Sequence, residues 1–197
     1  MPRIGVLALQ GDFEAHQRAL QRAGAEAVEV RTARELSTVE GLIIPGGEST
    51  TMLKLIDQED LFEPLRSFGR QNPIFGTCAG AILIARGVSN PVQRSLELMD
   101  IDVERNAYGR QLDSRIVRLQ PENHSGLEGD DIEAVFIRAP VIRRLGAAGR
   151  VLARYKDAPV LVEEGQHLAA TFHPELTSDR RIHARFLEKV AARSLVR

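Results

Sequence analysis

The chain of 197 residues carries 26 lysine and arginine side chains against 27 aspartate and glutamate side chains, a formal net charge of −1. That balance gives no electrostatic reason to expect nucleic acid or an anionic membrane as a partner, and no apolar run approaches the roughly 20 residues that cross a bilayer. The length suits one domain over residues 1–197, and the single cysteine excludes an internal disulfide and fits a reducing, cytoplasmic setting.

The first half of the chain alternates short apolar runs with helical patterns, as parallel α/β units do. Asp12 and Ser49 are the expected helix N-caps, because their short side chains can accept hydrogen bonds from first-turn amides. In chain order the pattern predicts strand 4–9, helix 12–23, strand 27–30, strand 41–44, helix 50–56, helix 60–68 and a strand that ends at 75.

The second half of the chain is rich in strands and closes with a helix. Its apolar runs are closely spaced, which favours antiparallel or mixed additions to a parallel sheet. The predicted strands are 100–104, 114–119, 134–137, 151–155, 160–162 and 168–172, and the predicted helix is 178–192. The sequence therefore predicts an α/β fold with a central, mostly parallel sheet, helices on both faces and antiparallel additions.

The only cysteine lies in the segment Gly76-Thr77-Cys78-Ala79-Gly80, between two apolar runs. Its Gly-x-Cys-x-Gly spacing matches a nucleophile elbow with sulfur in place of oxygen. The flanking glycines permit a sharp bend, and the N-terminus of the predicted helix that follows favours thiolate over thiol. Because free cysteines are also commonly buried and inert, this segment alone leaves a purely structural role for Cys78 open.

A thiol nucleophile needs a base and a group that orients the base. His173 follows an apolar run, and Glu175 can hold its imidazole because extended residues two apart point to the same side. In isolation, His173 also fits a surface histidine beside a turn proline, and Glu175 fits a solvated carboxylate. No grouping has the spacing of metal ligands, so we expect no metal. The histidines expected to be exposed rather than catalytic are His16, His124, His167 and His183.

Two further regions supply groups that can hold a polar substrate. The turn 45–50 follows a predicted strand, at the edge where open α/β sheets bind ligands, and the amides at Gly46-Gly47 can point at a negative oxygen. Arg105 and Arg138 stand at predicted strand ends, where a guanidinium can pair with a substrate carboxylate. A simple turn and solvated arginines are the alternatives at these positions.

Together these segments resemble class I (triad-type) glutamine amidotransferases, and within that class the glutaminase subunits of pyridoxal 5'-phosphate synthases. The resemblance runs nearly end to end and implies a flavodoxin-like fold. The elbow and the His-Pro-Glu segment are shared by many amidotransferases, whereas the 45–52, 105–111 and 135–140 segments are more specific to this subunit. The matching segments are 5–11, 45–52, 76–80, 105–111, 135–140 and 172–177.

The resemblance also implies roles for individual residues. Cys78 would attack the side-chain amide of L-glutamine, His173 would transfer the proton, and Glu175 would orient His173. Ammonia would leave, and water would hydrolyse the γ-glutamyl thioester to glutamate. The implied oxyanion hole consists of backbone N–H groups near Gly47 and Ala79. The implied glutamine-binding residues are Gly46, Gly47, Glu48, Ser49, Arg105, Ile137 and Arg138.

The family implies no cofactor but a protein partner. Ammonia passes to a separate (β/α)8 synthase subunit, held in a hetero-oligomer, that makes pyridoxal 5'-phosphate from a pentose phosphate and a triose phosphate. Glutaminase activity in the family depends on docking to that subunit, and Gln10 lies in the segment implicated in this activation. The chain departs from the family pattern at Glu97, where a glycine is usual.

Two other functions stay open on the sequence. One is a free-standing hydrolase of γ-glutamyl compounds that uses the same triad, and the segment Phe136-Ile137-Arg138 argues against it. The other is a cysteine-bearing redox sensor or chaperone on a related α/β fold. That function explains Cys78 but gives His173 and Glu175 no role.

Overall fold

Twelve strands form three sheets in the part of the chain that the computed structural model describes, residues 1–107, 114–127 and 129–195. Apolar and β-branched runs supply the strands that lie at the centre of the molecule. In chain order the strands are β1 (Arg3–Leu7), β2 (Glu26–Val30), β3 (Gly41–Ile44), β4 (Ile74–Thr77), β5 (Ala85–Ser89), β6 (Met99–Glu104), β7 (Arg115–Leu119), β8 (Ile132–Phe136), β9 (Val141–Leu145), β10 (Gly149–Tyr155), β11 (Ala158–Glu164) and β12 (His167–Ala170).

The largest sheet has seven strands in the order β2-β1-β3-β4-β12-β11-β10. The five strands from β2 to β12 are mutually parallel, and β11 and β10 continue the sheet in antiparallel fashion. The order of the parallel strands is that of flavodoxin-like folds. The predicted mostly parallel sheet with antiparallel additions is therefore confirmed.

Six helices complete the described elements, together with one 3₁₀ turn at Pro174–Leu176. The helices are α1 (Phe13–Arg22), α2 (Ala33–Leu36), α3 (Ser49–Gln58), α4 (Phe62–Gln71), α5 (Ala79–Ile84) and α6 (Arg181–Ser194). As predicted, Asp12 caps α1, since its carboxylate accepts a hydrogen bond from the Ala15 amide at 3.3 Å.

Helices pack on both faces of the central sheet, because consecutive residues of each buried strand point to opposite sides. Ile43 and Phe75 belong to one apolar cluster, which includes Phe186 of α6. Ile44 and Ile74 belong to the other cluster, which holds the apolar residues of α3, α4 and α5. The inner strands β3, β4 and β12 are therefore buried on both faces, which explains why they show no polar alternation.

Two smaller sheets lie beside the central one and carry the segments predicted to bind substrate. In the first, β6 pairs with β5 in parallel and with β9 in antiparallel register. In the second, β7 and β8 form an antiparallel pair. Arg105 directly follows β6, and Ile137 and Arg138 directly follow β8.

The sequence did not predict β5, β9 or α2. The apolar run 81–85 favours one buried helix after Cys78, but α5 ends at Ile84 and the chain enters β5 at once. The helix N-cap predicted at Ser49 is also wrong, because Glu48 occupies that position.

Glu97 stands in a conformation that explains why a glycine is usual there. Its φ is 55°, in the left-handed region that a Cβ atom makes unfavourable. The carboxylate of Glu97 accepts a hydrogen bond from Arg66 at 3.2 Å, at the surface. Glutamate in place of the usual glycine thus strains the backbone locally, at a position distant in sequence from the Cys78 turn.

Candidate active site

Three neighbouring strands of the central sheet, β3, β4 and β12, end at one cleft of about 500 Å³. Parallel strands present their carboxyl ends along one edge, so the segments that follow Ile44, Thr77 and Ala170 come together there. The cleft is lined by Gly11, Asp12, Gly46, Gly47, Glu48, Ser49, Cys78, Ala79, Ile82, Arg105, Asn106, Ile137, Arg138, Pro140 and His173.

Cys78 occupies the turn between β4 and α5. Its backbone has φ 49° and ψ −106°, a conformation that is rare for residues other than glycine and is typical of strained functional turns. The Cys78 amide donates a hydrogen bond to the Ala170 carbonyl at 2.8 Å, which ties the turn to β12. Cys78 is 7% exposed and its Sγ lies 3.9 Å from the Ile137 carbonyl oxygen. The sulfur is therefore fixed in position and reachable from the cleft.

His173 and Glu175 follow β12 and lie next to the cysteine. The Nδ1 atom of His173 lies 2.7 Å from Oε1 of Glu175, which is buried within the 3₁₀ turn. Burial by itself lowers the pKa of His173, but its interactions with the Cys78 sulfur and the Glu175 carboxylate outweigh burial and raise that pKa to about 10. The structure thus brings the three residues together, with a cationic imidazole between sulfur and carboxylate at neutral pH.

Three histidines that the sequence predicted to be exposed are buried, so that prediction is wrong for His16, His167 and His183. Each has a polar partner inside the protein: His16 and His183 contact each other at 3.1 Å, and His167 accepts a hydrogen bond from the Ile74 amide at 3.2 Å. Burial lowers the pKa of all three, to about 4 for His167 and His183. His124 is exposed, as predicted.

The glycine turn after β3 lies against the imidazole. A Cβ atom at Gly46 would stand 2.5 Å from Cε1 of His173, so no larger residue fits without displacing the ring. Gln10 contacts the same turn, since its Oε1 accepts a hydrogen bond from the Glu48 amide at 3.0 Å and would lie 2.9 Å from a Cβ at Gly47. Any movement of Gln10 would therefore alter the contacts of this turn.

Ala79 lines the cleft together with Gly47. It is the first residue of α5, and amide groups in the first turn of a helix have no acceptor within their own helix. Two backbone segments, at Gly47 and at Ala79, thus line the same cleft as Cys78.

Glu48, rather than Ser49, caps α3. The two oxygens of Glu48 accept hydrogen bonds from the Thr50 amide at 3.0 Å and from the Thr51 amide and hydroxyl, both at 2.7 Å, more donors than one serine hydroxyl can satisfy. Burial raises the pKa of Glu48, but these hydrogen bonds outweigh it and lower that pKa to about 2. Ser49 instead donates to Oε1 of Gln93 at 3.1 Å, a partner without a recognisable sequence signal.

Arg105 reaches the start of α3 from the end of β6. Its Nη2 donates to the Thr50 hydroxyl at 2.8 Å and lies 3.4 Å from a carboxylate oxygen of Glu48. The side chain is largely shielded from solvent but lines the cleft. Of the sequence motif that begins at Arg105, positions 108–111 lie outside the described residues.

Ile137 and Arg138 complete the wall opposite the glycine turn. Arg138 has φ 43°, a second left-handed residue at the cleft. Every predicted catalytic or substrate-binding residue therefore lines the cleft except Glu175, which lies behind His173. Sequence reasoning missed the lining residues Gly11, Asp12, Ile82, Asn106 and Pro140, although Gly11, Asn106 and Pro140 belong to segments that it singled out.

Within the described ranges, no three His, Cys, Asp or Glu side chains are grouped as a metal site would require. No described helix is both long and apolar enough to cross a bilayer.

The fold and the cleft define a class, the class I glutamine amidotransferases. A crystal structure of a glutamine amidotransferase matches the chain with a TM-score of 0.86 and 47% identity, over 95% of this chain and 98% of that one. A putative GMP synthase subunit from Thermoplasma acidophilum matches with a TM-score of 0.72 and 19% identity, over 100% of this chain and 97% of that one. At that identity the second match shows the fold alone.

Within this class the chain belongs to the SNO glutamine amidotransferase family, whose model matches residues 6–192. The pyridoxal 5'-phosphate synthase subunit PdxT of Solibacter usitatus (strain Ellin6076) is 59% identical, over 96% of this chain and 100% of that protein. The subunit PdxT of Koribacter versatilis (strain Ellin345) is 52% identical, over 95% of each chain.

Proposed function

We propose that this chain is the glutaminase subunit of a pyridoxal 5'-phosphate synthase. It hydrolyses L-glutamine to glutamate and ammonia, with residues 1–197 acting as one glutaminase domain. The observation that carries the proposal is the Cys78, His173 and Glu175 set in one cleft, in a chain that is 59% identical to a PdxT subunit over nearly its whole length.

The first chemical step forms a thioester. The Cys78 sulfur, paired with the His173 imidazolium, attacks the δ-carbon of the glutamine side chain as its carbonyl becomes an oxyanion. The imidazolium then gives its proton to the nitrogen as the carbon–nitrogen bond breaks, and ammonia leaves. Glu175 keeps the imidazole oriented with Nδ1 toward the carboxylate, which the 2.7 Å contact supports.

The second step regenerates the enzyme. The neutral His173 takes a proton from a water molecule, and the resulting hydroxide attacks the thioester carbon. Glutamate is released as the carbon–sulfur bond breaks, and the sulfur and imidazolium return to their starting pair. In both steps the N–H groups at Gly47 and Ala79 stabilise the oxyanion, a role that their position at the cleft supports.

Charged side chains that line the cleft hold the two charged groups of the substrate backbone. Arg105 and Arg138 provide cations for the α-carboxylate of glutamine, while Glu48 provides an anion for its α-ammonium group. The low pKa of Glu48 keeps that carboxylate charged at physiological pH. Gly46, Ser49 and Ile137 shape the remaining wall.

Ammonia is delivered to a (β/α)8 synthase subunit, which uses it to make pyridoxal 5'-phosphate in the cytoplasm. Docking of that subunit controls the glutaminase through Gln10, whose hydrogen bond to the Glu48 amide links it to the oxyanion turn. The near-neutral charge and the single cysteine are consistent with a protein partner in a reducing compartment.

The test measures glutamate release from L-glutamine with and without the synthase subunit, for the wild type and for Cys78→Ala. We expect low activity for the isolated subunit, strong stimulation in the complex, and no activity from the variant in either state. Cys78→Ser is the matched control for folding, since it preserves the size of the side chain.

Two results would contradict the proposal. Turnover that is undiminished in Cys78→Ala would exclude the thioester mechanism. Equal turnover with and without the synthase subunit would exclude control by docking, while leaving the glutaminase chemistry intact.

A further inference from the structure

A second imidazole lies behind the catalytic set, and no step of the mechanism above uses it. His16 is on α1, is fully buried, and faces residues from three other elements. Its Nε2 lies 3.0 Å from the Thr77 hydroxyl, at the end of β4, and 3.4 Å from Oε2 of Glu175. Its Nδ1 lies 3.1 Å from Nε2 of His183, on α6.

Among the described residues, one carboxylate oxygen of Glu175 has a hydrogen-bond partner and the other has none. Oε1 is engaged by His173, whereas Oε2 is buried with no hydrogen-bond partner among the described residues. Burying a carboxylate oxygen without a hydrogen-bond donor costs free energy. The position of the nearest polar hydrogen therefore influences which orientation of the carboxylate is most stable. Among the described residues, Nε2 of His16 lies 3.4 Å from this oxygen, a contact that is not a full hydrogen bond.

The surrounding contacts determine which nitrogen of His16 carries the hydrogen. If Nδ1 carried it, His183 would accept that hydrogen at its Nε2; Nδ1 of His183 has no partner among the described residues in either arrangement, so the contact with Glu175 decides between the two. With the hydrogen on Nδ1, the lone pair of His16 Nε2 would face the Glu175 carboxylate and repel it. If Nε2 carries the hydrogen, His183 donates to Nδ1 of His16, and the Nε2–H of His16 faces both Thr77 and Glu175.

We propose that His16 is a positioning residue: it is the neutral Nε2–H tautomer, and this N–H fixes Oε2 of Glu175 so that Oε1 stays aligned on His173. The catalytic consequence rests on the proposed glutaminase function, whereas the tautomer does not. Burial and the neighbouring His183 keep the pKa of His16 well below its ordinary value, which agrees with a neutral ring.

Aromatic side chains around His16 restrict the movement of its ring. Phe75 meets His16 edge-on with ring centroids 6.4 Å apart, meets His183 edge-on at 6.0 Å, and lies tilted against Phe186 at 5.8 Å. These rings join α1 and α6 to the strand that leads into Cys78. A donor held this firmly restricts the carboxylate more than a mobile side chain or water would.

The activity test compares His16→Leu with His16→Gln, each in the complex with the synthase partner. The side chain of glutamine reaches as far as imidazole Nε2 and keeps an N–H donor there, whereas leucine removes it. We expect His16→Leu to lower kcat about tenfold with little change in KM for glutamine, and His16→Gln to stay within about threefold of the wild type. Phe186→Leu is the matched control, because it opens a cavity in the same ring cluster without removing a polar atom, and its kcat should stay within about twofold.

The second measurement is independent of activity. Two-bond ¹H–¹⁵N spectra of the histidine-labelled wild type, assigned by the signal lost in His16→Gln, should show a neutral His16 protonated at Nε2. A His16 protonated at Nδ1 would overturn the proposal, even if the Leu variant does not fold.

The kinetic outcomes separate the hypotheses. Full kcat in His16→Leu, equal losses in the Leu and Gln variants, or an equal loss in Phe186→Leu would overturn the positioning role. A wild-type complex that releases no glutamate would instead overturn the proposed function, and the tautomer spectrum would still decide the placement of the hydrogen.

Discussion

Cys78 and Arg138 both stand in left-handed backbone conformations at the edge of the cleft. Neither has a glycine's freedom, and each such residue costs on the order of 1 to 3 kcal/mol of folding free energy. They keep these conformations because the strands before them are buried and hydrogen-bonded, as with the Cys78 amide on Ala170. The protein thus tolerates local strain at two cleft positions, those of the proposed nucleophile and of an arginine proposed to bind substrate.

Glu97 carries the same kind of strain without facing the cleft, so relieving it should stabilise the protein. We expect Glu97→Gly to raise the free energy of unfolding by roughly 0.5 to 1 kcal/mol, since the strain lost exceeds the exposed pair with Arg66. Urea unfolding monitored by circular dichroism measures this. Glu97→Gln is the control, because it removes the ion pair but keeps the Cβ atom, and a stabilisation of equal size there would contradict the explanation.

Cys78, His173 and Glu175 could be found from the sequence because local spacing fixes each of them: a glycine-flanked turn and a two-residue step at a strand end. His16 and His183 could not, since their partners come from elements more than a hundred residues apart. A histidine inside a polar helix shows no sign of such a partner. The sequence does not show which helix faces pack against each other on one side of the sheet.

At the level of elements, the turns after β1 and β3 are packed backbone against backbone. Gly11, with φ 88°, lies so close that a Cβ there would stand 1.8 Å from the Gly46 carbonyl oxygen. Because Gly46 in turn lies against His173, the β1–α1 turn supports the Gly46-Gly47 turn, which contacts the imidazole. Gln10, which precedes Gly11, makes the polar half of the same contact.

Gly11→Ala should therefore reduce activity more than stability. We expect at least about a tenfold loss of kcat, because the added methyl group must push the turn at Gly46 out of place. Gly24→Ala is the matched control: its φ of 91° imposes the same backbone strain, about 1 kcal/mol, but a Cβ there meets nothing within 4 Å. Equal glutaminase losses in the two variants would show that strain alone, and not the contact with Gly46, is responsible.

Most helices and strands could be predicted from their apolar patterns, whereas α2, β5 and β9 could not. The run 81–85 is apolar throughout, and such a run does not distinguish a buried helix from a buried strand. The structure divides it between α5 and β5 because the chain must leave the central sheet to begin the second one.

At the scale of the whole molecule, buried neutral histidines make stability depend on pH. His167, at the start of β12, has a pKa of about 4 in the folded state because burial disfavours its cation, against about 6.5 when unfolded. The unfolded state therefore binds more protons between these values. The stabilising contribution is fully present above pH 6.5 and is lost as the pH falls toward 4.

Replacing His167 should reduce this sensitivity. Between pH 7.5 and pH 5 we expect the wild type to lose roughly 2 kcal/mol more unfolding free energy than His167→Asn, which can still accept from the Ile74 amide but does not titrate. Urea denaturation at the two pH values measures the difference. His124→Asn, at an exposed site, should match the wild type, and an unchanged pH dependence in His167→Asn would contradict the argument.

The proposed catalytic residues and the two arginines proposed to hold glutamine belong to different sheets. Cys78 and His173 follow β4 and β12 of the seven-stranded sheet, two strands that are buried on both faces, whereas Arg105 and Arg138 extend from the three- and two-stranded sheets. Peripheral sheets of this size can open without global unfolding, so amide exchange should be faster in β7 and β8 than in β4. Substitutions in the outer sheets can therefore change the amino-acid selectivity during evolution, while the proposed catalytic residues stay on the central sheet.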